Sequence, residues 1–343
     1  MAENQPTLEE WRRLYEAAAR IKEIAPWEWL MEDDLFGVQN PETSEFGFVS
    51  VMGTLGEHFA ISVYLGSEGL YGFWDLEEAG PFGNAEQVLE IPQLQASFED
   101  RNELREQDRD LIKQLGLKFR GRQAWPMFRS FRPGFVPWFL EAAEARFLTH
   151  VLEQAIDVAQ RSQADPELLE PPDDETYLMR VPQPAGSGLV WSDQLMTVPP
   201  PQETSISVRM DMQALAALKS APRGRQTLEV DFFMLPMATQ EERSARPYYP
   251  YMLLVVEQQS GMILGTEMLK PESTLTDMWG LIPLHLVRQL HRIGLVPKEI
   301  KVRSPLLLQL VQPLADELGF KLKESNKLSK LDSAKEFLFQ RFW

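Results

Sequence analysis

The chain has 343 residues, 44% of them hydrophobic and 25% charged; 34 basic against 51 acidic side chains leave a net charge of −17, and there is no cysteine. This length predicts two domains, each able to bury its own core, and this composition excludes wholesale disorder and fibrous repeats. The missing thiols exclude disulfides, thiolate catalysis and cysteine metal sites, while the acidic excess of the first hundred residues restricts any polyanion to a local patch.

Thr7 and Glu10 have the spacing of a capping box, and Leu8, Trp11, Tyr15, Ala18 and Ile21 follow at helical spacing. That predicts a first helix over residues 8–24, ended by Pro26. Segments 35–38, 46–52 and 59–65, separated by turn residues, predict an antiparallel meander. Helical composition follows over 67–78 and again over 101–115, up to Gly116. A long helix is expected over 137–163, where Phe139, Ala143, Phe147, Val151 and Ala155 recur every fourth residue and Pro137 suits the first turn. Residues 1–163 therefore read as an α+β domain: a small antiparallel sheet covered by the first and the long helix, with Trp11, Trp27, Trp29 and Trp74 filling a core.

Residues 164–175 are acidic and proline-rich, as a solvated linker is, and the main domain boundary is expected there. Residues 176–224 read as an extended connector, with strand-like patches at 177–181 and 188–191 and a short helix over 211–219. From 225 to 343 the pattern becomes α/β. Strands are expected at 227–235, 251–257 and 262–269, then a helix over 276–293, a strand at 299–303, a helix over 306–317, a strand at 320–324 and a terminal helix over 333–342. The order is βββαβαβα.

No apolar run approaches the roughly 18 residues of a membrane span, and residues 1–10 carry no cationic, apolar leader pattern, so a cytoplasmic protein with no membrane partner is expected. Of the histidines, His285 and His291 lie six apart and so face opposite sides of a helix, which prevents joint chelation. Asp33-Asp34 and Asp173-Asp174-Glu175 lack the alternate spacing of a calcium loop and read as solvated turns. Gly186-Ser187-Gly188 lacks the strand–turn–helix context of a phosphate loop.

The order βββαβαβα, with Asp231 in the middle of its first strand, resembles the ribonuclease H-like fold of polynucleotidyl transferases and integrase cores; LEVDFF, YMLLVVEQQSGMILG and PKEIKVRS carry the likeness. The resemblance implies metal-binding carboxylates from the first strand, the fourth strand and a late helix, holding Mg²⁺ for phosphoryl transfer. Asp231 matches the first, and Asp332 or Glu336 the third. At the fourth-strand position stands Arg303, whose charge repels a divalent cation. The expectation is a non-catalytic binding or protein-interaction protein with no cofactor. Its alternative is a Mg²⁺-dependent nuclease in which further acids such as Glu229, Glu257 or Glu267 converge on Asp231. The chain is also similar over most of its length to a bacterial family of uncharacterised two-domain proteins, through LYEAAARIKEIAPWEW, DLFGVQNPET, VSVMGTLGEHFAISVYLG, AWPMFRSFRPGFVPWFLEAAEARFLTH and RPYYPYMLLVVEQQSG. That likeness implies no activity.

Residues 113–132, KQLGLKFRGRQAWPMFRSFR, hold six cations and no acid. Lys118, Arg120, Arg122, Arg129 and Arg132 interleave with Trp125 and Phe128, the pattern of a single-stranded nucleic acid surface. The competing expectation, favoured by the acidic neighbours, buries the aromatics and pairs the arginines with acids such as Glu141 or Glu144.

Overall fold

The computed structural model describes residues 4–80, 87–170, 173, 175–186, 188–201, 205–242, 245–272 and 274–342. The chain divides into two compact units, one of residues 1–133 and 137–202, the other of residues 134–136 and 203–343. Each has a mixed sheet. Among the described residues no helix is long and apolar enough to cross a membrane.

In the first unit, strands β1 (Phe36–Gln39), β2 (Phe46–Met52), β3 (Ala60–Leu65), β4 (Gln93–Glu99) and β5 (Trp125–Phe131) pair antiparallel in succession. A hairpin of β6 (Thr176–Ala185) and β7 (Gly188–Thr197) extends the sheet beyond β1, with β6 parallel to β1, giving the order β5-β4-β3-β2-β1-β6-β7. Strand alternation sends Val38, Val49, Val51, Val63 and Leu94 to one face, where they pack with α1 (Leu8–Ile24) and α4 (Ala142–Ala164). Phe48, Tyr64 and Tyr177 point to the other face, against Leu70 and Phe73 of α2 (Gly66–Ala79). The capping box at Thr7 and Glu10 is formed, with Glu10 N–H donating to Thr7 Oγ1 at 3.2 Å and Thr7 N–H to Glu10 Oε2 at 2.6 Å.

The sheet is mixed and larger than the small antiparallel one expected, because β4 and β5 join it beyond β3 and β6–β7 beyond β1. β4 carries glutamines and a serine on its second face, and β5 contains Pro126 and Arg129, so neither has a strong strand signature. The extended text of 176–224 is split: its first part is the β6–β7 hairpin, and the boundary between units follows it at 202/203 rather than at 164–175. Residues 171, 172 and 174 of that acidic stretch lie outside the described residues. The helix expected over 101–115 is the shorter α3 (Glu106–Gln114), which begins where Asp108 accepts the N–H of Arg105. The long helix starts at Ala142 because Trp138 is in an extended bridge, exchanging both backbone hydrogen bonds with Ser130 at 2.8 and 3.0 Å.

In the second unit, α5 (Met212–Lys219) precedes a meander of β8 (Thr227–Met234), β9 (Tyr251–Glu257) and β10 (Ile263–Leu269). The helix expected over 276–293 is two, α6 (Leu275–Trp279) and α7 (Ile282–Ile293), divided at Gly280; Pro283 has no N–H to continue the first and sits in the first turn of the second. Then follow β11 (Glu299–Val302), α8 (Pro305–Leu318), β12 (Lys321–Glu324) and α9 (Ser329–Phe342). The sheet order is β10-β9-β8-β11-β12, with β8, β11 and β12 parallel. Leu328, Leu331 and Ala334 pack against Met252, Leu254 and Val256 on one face of this sheet.

Candidate functional site

The acid expected at the heart of the second sheet is brought to its place by alternation along β8. Leu228 and Val230 face one way, and Glu229, Asp231 and Phe233 face α9. β11 is the parallel neighbour of β8, with Val302 opposite Val230. Arg303, the next residue, therefore emerges beside Asp231 before Ser304 caps α8 by accepting Leu307 N–H at 3.0 Å.

Glu229 positions the third element. It is fully buried, and its Oε2 accepts the backbone N–H groups of Lys330 (3.0 Å) and Leu331 (2.8 Å) in the first turn of α9. A carboxylate there satisfies two donors that have no partner within the helix and complements the helix dipole. With α9 held in this way, Asp332 meets Arg303.

The resulting cluster is an ion triad. Arg303 Nε donates to Asp231 Oδ2 at 3.0 Å, Arg303 Nη2 donates to Asp332 Oδ1, and Arg303 Nη1 reaches the Asn326 carbonyl at 3.4 Å. Asp231 Oδ1 accepts its neighbour Phe232 N–H at 2.9 Å. Burial raises the Asp231 pKa above the ordinary aspartate range, opposed by the charge of Arg303, the Phe232 N–H and the charge of Lys335. Burial works against the charge on Arg303 as well, but its two carboxylate partners hold its pKa above the usual guanidinium value. Lys335 lies one turn beyond Asp332, its Nζ 4.0 Å from the centre of the Phe233 ring.

These residues do not fit Mg²⁺. A divalent ion between Asp231 and Asp332 would sit where the guanidinium sits, and removing that cation would leave a buried carboxylate unpaired. Glu257, weighed as a further ligand, instead accepts the N–H groups of Gln259 (3.0 Å) and Ser260 (2.6 Å), closing the β9–β10 turn. Glu267 pairs with His285 at 3.5 Å and Arg292 at 3.4 Å. Glu229 is turned to the α9 backbone, and no bond joins Glu336 to the triad among the described residues. No group of three metal-binding side chains is assembled among the described residues.

In the first unit the basic aromatic segment divides in two. Phe128 is buried edge-on against Tyr15, ring centres 4.9 Å apart, and Arg129 is buried with Asp108. Arg132 pairs with Glu141 at 2.6 Å and Glu144 at 2.9 Å. Neither Phe128 nor Arg129 has a face to offer a nucleotide. Lys118, Arg120 and Arg122 are exposed, with Arg122 3.9 Å from Asp100, and Trp125 is half-buried against Phe119. Sequence reasoning had no signal for the partner of Arg129, because Asp108 reaches it from a separate helix. Of the acidic turns, Asp34 accepts Met31 N–H at 2.8 Å and Asp173 accepts Glu175 N–H at 3.1 Å, while Asp174 and Ser187 lie outside the described residues.

Residues 11–180 match a family model described as a domain of unknown function, DUF7309, and residues 214–339 match a second, the domain of unknown function DUF6930. No curated protein matches the chain. The protein thus carries two family-model domains, neither with an activity attached.

Proposed function

We propose that the second unit is a ribonuclease H-like domain in which an arginine has taken the place of the catalytic metal, so that the protein binds a partner and does not cleave nucleic acid. The sheet order supports the fold reading: counted from β8, the strands lie 3-2-1-4-5, with the second antiparallel to its neighbours and the fourth and fifth parallel to the first. The single observation that carries the functional reading is the Arg303 guanidinium bound to both Asp231 and Asp332. A guanidinium pairs with both carboxylates but has no coordination position at which to activate water, which is what a metal nuclease needs. The fold then serves as a platform, its surface free to recognise a protein partner.

The test is cleavage of labelled DNA, RNA and hybrid duplexes with Mg²⁺ or Mn²⁺, run beside titration calorimetry of the two metals. The expected result is no cleavage and no metal binding. Metal-dependent cleavage that disappears in Asp231→Asn would overturn the reading and restore the nuclease.

A further inference from the structure

The four sheet edges of this protein are not alike. β12 is four residues long and carries Lys321 and Lys323, β10 is bulged between Ile263 and Gly265, and the outer side of β5 is occupied at Ser130 by Trp138. Short length, lysines, bulges and covering segments are the usual means of blocking edge-to-edge pairing. Among the described residues β7 has none of them. It runs ten residues in unbroken register with β6, contains no proline or lysine, and exposes Leu189, Val190 (57%) and Leu195 (64%). Its one charged side chain, Asp193, is turned to Arg161 and Arg180.

We propose that β7 pairs with β7 of a second copy of this chain, antiparallel about a two-fold axis through Ser192, joining two first-unit sheets into one. The backbone phase sets what the edge offers. Val198 N–H donates to Glu175 O at 3.0 Å, which makes Glu175 and Val198 a hydrogen-bonded pair, and the unbroken register carries that alternation along the hairpin. Val190, Ser192, Gln194 and Met196 therefore spend their backbone groups on β6, while Leu189, Trp191, Asp193 and Leu195 turn theirs outward.

Symmetry and charge then choose the register. In a two-fold antiparallel pair, directly opposed residues point to the same face, so the axis must pass through a residue that faces its own copy. Only axes at Ser192 or Asp193 overlap nearly the whole strand. An axis at Asp193 crowds two Asp193 side chains, each with its Arg161 and Arg180 partners, against each other and leaves Leu189 opposite Thr197, which is unfavourable. An axis at Ser192 sets Leu189 against Leu195 and Trp191 against Asp193, so no like charges meet and the two exposed leucines cover each other. The partner is thus fixed by the strand's own complementarity. This inference gives the binding reading a partner for the first unit, and it does not depend on the Asp231 triad.

The absence of cysteine makes the register directly testable in the full chain. In the proposed pair Ser192 occupies a non-hydrogen-bonded position opposite itself, where Cα atoms come about 4.5 Å apart, within disulfide reach. Sedimentation velocity of the wild type at about 100 μM, a concentration suited to a small strand-edge contact, is expected to show a dimer that dissociates on dilution. Ser192→Cys is expected to form a disulfide dimer under mild oxidation at least tenfold faster than Val190→Cys, whose neighbour across the axis is Gln194. Leu195→Lys, at an exposed position, is expected to be folded and to dimerise at least tenfold more weakly. A wild type that stays monomeric, whatever else its edge then binds, overturns the proposal, as do equal crosslinking rates in the two cysteine variants.

Discussion

Arg129 and Asp108 form a bidentate ion pair inside the first unit, with Nη1–Oδ1 at 2.9 Å, Nη2–Oδ2 at 2.6 Å and both side chains only 7% exposed. The same Asp108 accepts Arg105 N–H at 3.0 Å at the start of α3, so one carboxylate ties the β5 edge strand to that helix.

Arg129→Ala leaves the Asp108 charge buried without its partner, and urea unfolding is expected to show a loss of about 3–5 kcal/mol. Replacing both residues together, Arg129→Met with Asp108→Asn, should recover most of that loss, since neither charge then remains and a side-chain oxygen is kept to accept Arg105 N–H. Unchanged stability in Arg129→Ala, accompanied by weaker binding of a single-stranded oligonucleotide, would return Arg129 to the role of a nucleic acid contact.

The Asp231–Arg303 pair makes stability depend on pH in a defined direction. Burial raises the folded pKa of Asp231, so the folded protein holds this proton more tightly than the unfolded chain does. The contribution of this group therefore falls as pH rises from the ordinary aspartate value through the raised folded one, and is level above it. Arg303→Ala removes a charge that lowers this pKa, which widens the window. The stability deficit of the variant is expected to grow between about pH 4 and pH 7, the range above the unperturbed aspartate value. Urea titrations of both proteins at the two pH values check this, and a deficit equal at both would refute it.

Glu229 caps α9 from a neighbouring strand. Glu229→Ala is expected to cost about 1–3 kcal/mol, because the Lys330 and Leu331 donors lose their acceptor inside the fold. Native-state hydrogen exchange should show these two amides among those most accelerated. Retained protection at both would mean that Glu229 is not the cap.

Gly69 lies within α2, where alanine ordinarily stabilises a helix. A Cβ at this position would stand 2.7 Å from the Tyr64 carbonyl carbon and 3.0 Å from the Pro92 carbonyl oxygen, both backbone atoms that cannot turn aside. Gly69→Ala is therefore expected to destabilise by about 1–3 kcal/mol, the usual range for overpacking. A higher thermal midpoint in the variant would contradict the close approach of α2 to its sheet.

Segments whose own side chains repeat with a clear period were legible in the sequence. The helix from Leu8 to Ile24 carries its stop and start in local residues, Thr7, Glu10 and Pro26, and its apolar face in its own spacing. β8, β9 and β10 likewise have dense apolar text separated by turns, and Arg303 at the end of β11 already argued against a metal. What the tertiary structure decided depends on partners far apart in the chain. β5 buries an arginine, and only Asp108 on α3 makes that burial favourable; β6 and β7 look like linker text until β1 supplies hydrogen bonds to one side of them. Glu229 was one of several acids in the sequence, distinguished only when α9, about a hundred residues later, brought two unpaired N–H groups to it. Local periodicity is written in consecutive residues, whereas the satisfaction of a buried charge or a strand edge is a property of two segments at once, and only the folded chain brings both together.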